Sequence, residues 1–222
     1  MDEKQLLMIP GPTPVPQSIL LAGAKPMINH RGPEFRAALD ECTEGLKQVF
    51  QTVHEMYILT ASGTGGLEAA IVNTLSPGDK VLSVSIGVFG DRFATIASTY
   101  GADVEKLDFE MGTAADARKI RERLTADRGK EIKAILATHN ETSTGVTNDL
   151  RAIGEIVREH GALLLVDGIS SLLAMDCQMD AWHVDALVAG SQKAFMIPPG
   201  LCFVGISDRA QAAMQSAKMP RF

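Results

Sequence analysis

The stretch DALVAGSQKAFMIPPGLCFVGI, residues 185–206, gives the strongest indication of the fold of this chain. An apolar run, a small-polar turn carrying one lysine, a Pro-Pro-Gly corner and a second apolar run predict a strand, a loop and a strand. Lys193 follows the first run. A lysine at the end of a buried strand is unfavourable unless it is solvated, paired or chemically used, because burial disfavours its charged form. Lys193 is therefore a candidate Schiff-base nucleophile, with a lysine that simply reaches water as the alternative.

The rest of the chain alternates between short apolar runs and helical patterns. Strands are predicted at residues 56–60, 81–86, 104–109, 132–138, 162–166, 186–189 and 201–206. Helices are predicted at 33–53, 67–75, 92–100, 114–124 (behind a Thr113/Asp116 capping box), 150–160 and 209–218. This alternation predicts an α/β fold with a doubly wound, mainly parallel seven-stranded sheet. The loop 192–200 contains no helix, so the last strand is predicted to be the one antiparallel strand.

Domain organisation follows from the prolines and from the absence of linkers. Residues 6–17, LLMIPGPTPVPQ, carry a proline at every second or third position, which disfavours helix. We predict an extended N-terminal arm over residues 1–20 and one large domain over residues 21–222. The sequence contains no internal repeat and no low-complexity tract.

Composition excludes several classes of function. The net charge is −6, and no basic cluster gathers on one segment, which argues against a nucleic-acid partner. No apolar run approaches the length of a membrane span, and no signal-peptide pattern opens the chain, so we expect a cytoplasmic protein. The three cysteines fit neither a disulfide framework nor zinc-ligand spacing and are read as reduced thiols, so no metal site is predicted.

The residues that could bind a ligand or take part in catalysis follow the predicted strands, at the edge where open parallel sheets bind ligands. SGTGG at 62–66 can cradle a phosphate at a helix N-terminus, although a plain glycine-rich turn is as compatible with the sequence. Phe89 lies between glycines, where it either stacks on a ligand or packs into the core. The loop HNETSTG at 139–145 is rich in hydrogen-bonding groups, with a solvated loop as the alternative. Asp167 ends an apolar strand, and such a carboxylate needs a partner, which favours a ligand cation.

A phosphate cup, an aromatic ring, a buried carboxylate and an accessible lysine at one sheet edge are the parts that hold pyridoxal 5′-phosphate. At this point the chain resembles the class V, fold-type I pyridoxal-phosphate aminotransferases, and most closely the alanine-glyoxylate/serine-pyruvate aminotransferase group. The resemblance rests on GPTPVP, PMINHRGPEF, SGTGGLEAA, GVFGDR, THNETSTGV, LLVDGISS and GSQKAFMIPPG, which together span essentially the whole chain.

The resemblance implies a role for each matching residue. Lys193 would form the Schiff base and move the proton at the substrate α-carbon, and Asp167 would pair with the ring nitrogen. Phe89 and Ile169 would flank the two ring faces, and Thr142 would approach the ring oxygen. The phosphate would be held by Ser62, Gly63, Thr64 and Gln192.

The resemblance also implies substrates and partners. They are a small amino acid, alanine or serine, with glyoxylate or pyruvate as the 2-oxo acid acceptor, in a homodimer. Relatives often have histidine in place of Thr64 and tryptophan in place of Phe89. They also continue into a small C-terminal domain that carries the arginine for the substrate carboxylate; that domain is missing here, so we expect impaired substrate binding.

Two other readings stay open at this point. One is a lyase or cysteine desulfurase that uses the same cofactor; it would need a mobile catalytic cysteine, and desulfurases usually have histidine in place of Gln192. The other is a non-catalytic fragment that binds the cofactor. A nucleotide-binding dehydrogenase is disfavoured because Glu68 stands where a dinucleotide fingerprint has its third glycine.

Overall fold

The computed structural model describes residues 6–221. The helices are α1 (Gln17–Ala22), α2 (Pro33–Phe50), α3 (Gly63–Thr74), α4 (Val88–Thr99), α5 (Ala117–Ala126), α6 (Leu150–His160) and α7 (Asp208–Met214). The strands are β1 (Glu55–Leu59), β2 (Lys80–Ser85), β3 (Asp103–Asp108), β4 (Ile132–Thr138), β5 (Asn140–Glu141), β6 (Val146–Thr147), β7 (Leu163–Asp167), β8 (Ala186–Gly190) and β9 (Cys202–Ile206). Among the described helices, none combines the length and the apolar composition needed to cross a bilayer.

Seven strands form one sheet in the order β1-β9-β8-β7-β4-β2-β3, and β5 pairs with β6 in a separate hairpin. Strand β9 is antiparallel to both of its neighbours, β1 and β8, while the other pairs of the seven-stranded sheet are parallel. The predicted mainly parallel seven-stranded sheet with one antiparallel strand is therefore confirmed.

Helices cover both faces of the sheet, as a doubly wound fold requires. One face packs against α2, α5 and α6 through side chains such as Phe50, Ile120 and Ile153. The other packs against α3, α4 and α7 through Leu67, Phe93 and Ala210. The central strands β7 and β8 are buried along their whole length, which explains their apolar sequences.

Several predicted boundaries were wrong at the ends of elements. The predicted arm is helical at its end, because α1 begins at Gln17; residues 1–5 lie outside the described range. Helix α2 stops at Phe50, where Gln51 adopts a left-handed conformation, so Val53 lies beyond it. The predicted capping box does not form: Asp116 itself caps α5 by accepting a hydrogen bond from the Arg118 N–H, while the Thr113 hydroxyl donates to the Glu110 carbonyl.

Candidate active site

The carboxyl ends of five strands converge on one cavity. Strands β1, β2, β4, β7 and β8 run in the same direction, and Asp167 at the end of β7 pairs in register with Thr138 of β4 and Val188 of β8. A cavity of about 150 Å³ lies at this edge. It is lined by Ser62, Gly63, Thr64, Leu67, Phe89, Arg92, Thr142, Asp167, Ile169, Ser170, Gln192 and Lys193. Every site residue predicted from the sequence is among them.

Helix α3 points its N-terminus at the cavity. The helix begins at Gly63 rather than near Leu67, and Ser62 caps it by accepting a hydrogen bond from the Gly65 N–H (3.3 Å). Free amides at a helix N-terminus favour an anion. Glycine is needed at position 63 because an added Cβ would lie 2.5 Å from Ile169 Cδ1. This close approach, which involves a residue of a distant segment, explains why the helix can start in a glycine-rich stretch.

Phe89 lies in the first turn of α4 rather than in a loop. The helix begins at Val88, four residues before the predicted start. Phe89 is half-buried, and the guanidinium carbon of Arg92 lies 4.7 Å from the centre of its ring. This distance is within the range of a cation–π contact.

Glu141 was not singled out from the sequence, yet it is fully buried beside the cavity. Its Oε2 accepts hydrogen bonds from the Phe89 N–H (3.0 Å) and the Gly90 N–H (3.2 Å). Its Oε1 accepts from the Ser143 N–H (3.1 Å) and the Ser143 hydroxyl (2.7 Å). The loop 139–145 is therefore an ordered hairpin attached to α4, not only a solvated loop.

Asp167 is a buried carboxylate without a protein cation bound to it in the described range. Within residues 6–221 its side chain accepts one hydrogen bond, from the Ile169 N–H to Oδ1 (3.0 Å). Burial raises the pKa of Asp167 to about 6, and the nearby charge of Glu141 adds to the rise; the Ile169 N–H, Arg92 and Lys193 oppose it. The second oxygen, Oδ2, is left for a donor that the described residues do not supply.

Lys193 is half-buried in the turn after β8. Its Nζ donates a hydrogen bond to the Pro10 carbonyl (2.9 Å), and Gly11 packs directly against its side chain. The Thr13 hydroxyl donates to the Lys193 carbonyl (2.7 Å), so the N-terminal arm holds the lysine loop. Burial lowers the pKa of Lys193, with Asp167 acting in the opposite direction. A lowered pKa increases the neutral, nucleophilic fraction of an amine at neutral pH.

Comparison with known proteins decides the family. A model of the class-V aminotransferases matches residues 11–220. The chain belongs to the class-V aminotransferase family. The family expected from the motifs is thereby confirmed.

The relatives of this class-V aminotransferase chain have names that indicate different functions. The chain is 48% identical over 223 residues to the 42 kDa subunit of a soluble hydrogenase from Anabaena cylindrica. The match covers 100% of this chain and 58% of that protein. The chain is also 45% identical over 224 residues to L-aspartate–glyoxylate aminotransferase from Paracoccus denitrificans, covering 100% and 57%. The crystal structure of alanine–glyoxylate aminotransferase from Nostoc sp. superposes with a TM-score of 0.91 at 36% identity, covering 95% and 55%. The chain thus spans a little over half the length of the relatives it matches.

The residues of this class-V chain fit the cofactor that its family implies. Hydroxyl groups of Ser62 and Thr64, the Gln192 amide and the N-terminal amides of α3 form a donor set suited to a phosphate. Asp167 supplies a carboxylate whose pKa is raised mainly by burial, and such a group is stabilised by a cationic partner. The amine of Lys193 lies in the same cavity.

Sequence reasoning missed Leu67, Arg92 and Ser170 in the lining of the cavity, and Glu141 and the arm residues around Gly11 beside it. Ser170 supports the Asn140 loop, since its hydroxyl donates to the Asn140 carbonyl (2.8 Å). A glycine within a proline-rich arm was the available signal for Gly11, whose φ of 135° is disfavoured for other residues. Arg92 contacts Phe89 from three residues away in the same helix. Glu141 and Ser170 contact segments far apart in sequence, and nothing local marks those contacts.

Proposed function

We propose that this class-V chain binds pyridoxal 5′-phosphate and transfers the amino group of alanine or serine to glyoxylate or pyruvate. The observation that carries the proposal is one cavity that contains the Lys193 amine, the buried Asp167 carboxylate and the N-terminus of α3. Each of these groups matches one part of the cofactor: its aldehyde, its ring nitrogen and its phosphate.

The cofactor, when bound, supplies an aldehyde and an electron-accepting ring that together activate the α-carbon of an amino acid. Asp167 would keep a proton on the ring nitrogen, since a buried carboxylate gains most from a cationic partner. Phe89 and Ile169 would flank the ring, and Thr142 would donate to the ring oxygen. Lys193 Nζ would hold the cofactor covalently and, once free, take the proton from the substrate α-carbon and return it.

The phosphate would be held at the start of α3. Ser62, Gly63 and Thr64 lie at the helix N-terminus, and Gln192 lines the same cavity. Oriented amides and neutral hydroxyl donors bind an anion without requiring a buried cation.

The choice of acceptor is supported by the names of two relatives. The proteins from Paracoccus denitrificans and Nostoc sp. are both named for glyoxylate, with aspartate and alanine respectively as donors. The hydrogenase name belongs to the Anabaena cylindrica protein, and the groups around Lys193 favour amino-group transfer instead.

We further propose that the protein acts in the cytoplasm as a homodimer. Residues 6–39 expose many large apolar side chains, including Leu6, Met8 and Met27. Apolar surface of this extent is typical of a protein–protein interface.

An amino-transfer assay on the full-length protein tests the proposal. The cofactor-loaded protein is incubated with glyoxylate and, in turn, alanine, serine or aspartate, and glycine is measured by mass spectrometry. We expect glycine from at least one donor, and a loss of about a thousandfold or more in Lys193→Ala. Release of ammonia, or of sulfide from added cysteine, without glycine would favour a lyase or desulfurase. A bound cofactor with no turnover of any donor would favour a protein that binds the cofactor without catalysis.

A further inference from the structure

We propose that Glu141 is a positioning residue, which fixes Phe89 against the cofactor ring and adds a second buried negative charge that favours a protonated ring nitrogen beside Asp167. The inference rests on the proposed function, because it assigns a role toward the same cofactor. Glu141 itself lines no part of the cavity, so it would act through its neighbours.

The first support is the way Glu141 holds the start of α4. The Phe89 and Gly90 N–H groups belong to the first turn of that helix, where amides have no partner within the helix. Both donate to Glu141 Oε2. Because one of these amides belongs to Phe89 itself, the carboxylate fixes the backbone from which the aromatic ring projects.

The second support is how closely the two segments approach. An added Cβ at Gly87 would lie 2.7 Å from Glu141 Cγ and 2.8 Å from the Ser143 hydroxyl. Ser143 in turn donates twice to Glu141 Oε1. The hairpin of β5 and β6 and the N-terminus of α4 are thus joined with little room for adjustment through Glu141 and through Ser143, whose hydroxyl also accepts from the Val88 N–H (3.4 Å).

The third support is charge. Among the described residues, no lysine, arginine or histidine forms an ion pair with Glu141, so its charge is balanced by four hydrogen bonds and by the N-terminus of α4. Two buried carboxylates near each other repel, and burial together with the charge of Glu141 raises the pKa of Asp167. A cation beside Asp167 would relieve this repulsion, which favours the protonated form of a ring nitrogen.

A purely structural cap is the competing explanation, and Asp149, an exposed capping carboxylate, provides a control for the loss of a cap away from the cavity. Asp149 caps α6 by accepting a hydrogen bond from the Ala152 N–H (3.0 Å), and it does not line the cavity. The full-length proteins Glu141→Gln and Asp149→Asn each lose one capping carboxylate while keeping the size of the side chain.

Three readouts separate the two explanations. The first is the titration midpoint of Asp167 in cofactor-free protein, followed by ¹³C NMR and assigned with Asp167→Asn. The second is the visible circular dichroism of the bound cofactor, and the third is its dissociation rate. For Glu141→Gln we expect a midpoint lower by about half a unit or more, altered dichroism and dissociation faster by about tenfold. Asp149→Asn should leave all three unchanged.

The proposal is overturned if folded Glu141→Gln keeps the parent midpoint and dichroism, or if Asp149→Asn changes them equally. Should Glu141→Gln fail to fold, Ser143→Ala decides. It keeps the Glu141 charge and removes the hydroxyl that donates to Glu141 and accepts from the Val88 N–H of α4. We then expect altered dichroism and faster cofactor loss of smaller size, and parent values would overturn the proposal. If the parent protein binds no cofactor, the proposed function is wrong. The titration midpoint of Asp167 in Glu141→Gln still tests the effect of the Glu141 charge in that case.

Discussion

The buried carboxylate of Asp167 destabilises the cofactor-free fold, yet it suits a site that binds a cation. The residue is 4% exposed, and its carboxyl group accepts a hydrogen bond from one backbone N–H. Its pKa is raised from 3.8 to about 6, mainly by burial. A carboxylate in such a place gains stability when a cation reaches it, which is what a protonated ring nitrogen would provide.

We therefore expect Asp167→Asn to stabilise the cofactor-free protein at pH 8 while abolishing tight cofactor binding. Because the folded-state pKa is raised, the favourable contribution of the neutral group is complete below the unfolded-state pKa and is lost as the pH rises through about 6. A shift of this size corresponds to roughly 3 kcal/mol. Urea unfolding at pH 4 and pH 8 measures it. A variant no more stable than the parent at pH 8 would contradict this assignment.

At the scale of elements, helix placement depends on glycines whose partners lie elsewhere in the chain. In α6, an added Cβ at Gly154 would lie 1.8 Å from the Trp182 carbonyl oxygen. In α2, an added Cβ at Gly45 would meet nothing within 4 Å. The two glycines thus occupy the same kind of secondary structure in opposite surroundings.

We expect Gly154→Ala to destabilise the fold and Gly45→Ala to stabilise it. The first forces backbone apart and should lower the free energy of unfolding by about 2 kcal/mol or more. The second replaces glycine within a helix and should raise it by roughly 0.5–1 kcal/mol. Chemical denaturation of the two variants provides the comparison. Equal effects of the two substitutions would show that the α6 contact is looser than described.

Hydrophobic patterning predicted the elements, but not how several of them begin. Strand β4 matches the prediction at both ends, because its apolar run is bounded by polar residues. Helices α3 and α4 begin four residues earlier than predicted, at Gly63 and Val88. Ser62 is a local capping signal for α3 that the prediction did not use, whereas the contacts of the two first turns with Ile169 and Glu141 come from distant segments. Such long-range contacts leave no local pattern.

The candidate site was predicted more fully than the element ends. The residues brought together at the cavity follow different strands, and a parallel sheet places those strand ends side by side. The burial of Glu141 was not predicted because a glutamate in a polar loop is ordinarily solvated. Here the side chain is buried because α4 packs over it. The roles assigned to the cavity residues remain predictions.

At the scale of the whole molecule, the exposed apolar side chains are unevenly distributed. Met8 and Met27 are 83% and 95% exposed, and they belong to a segment with many similar neighbours. Val53 is also 83% exposed, but it lies apart from that segment in the sequence. This contrast supplies an internal control for the proposed homodimer.

We expect the full-length protein to sediment as a dimer and Met8→Asp/Met27→Asp to shift it toward monomer. Two charges in an apolar interface should raise the dimer dissociation constant by about tenfold or more. Val53→Asp should leave the dimer intact. Sedimentation across a dilution series measures both. A dimer that is equally strong in all three proteins would place the interface elsewhere.

The most direct test of the central claim, that the cavity around Lys193 is a pyridoxal-phosphate site, is chemical trapping followed by peptide mapping. The full-length protein is loaded with cofactor, reduced with borohydride, digested and examined by mass spectrometry. We expect the cofactor's mass on the peptide that contains Lys193, and no stable label in Lys193→Ala. Label on another lysine, or an unlabelled Lys193 peptide in protein that retains the cofactor, would contradict the account.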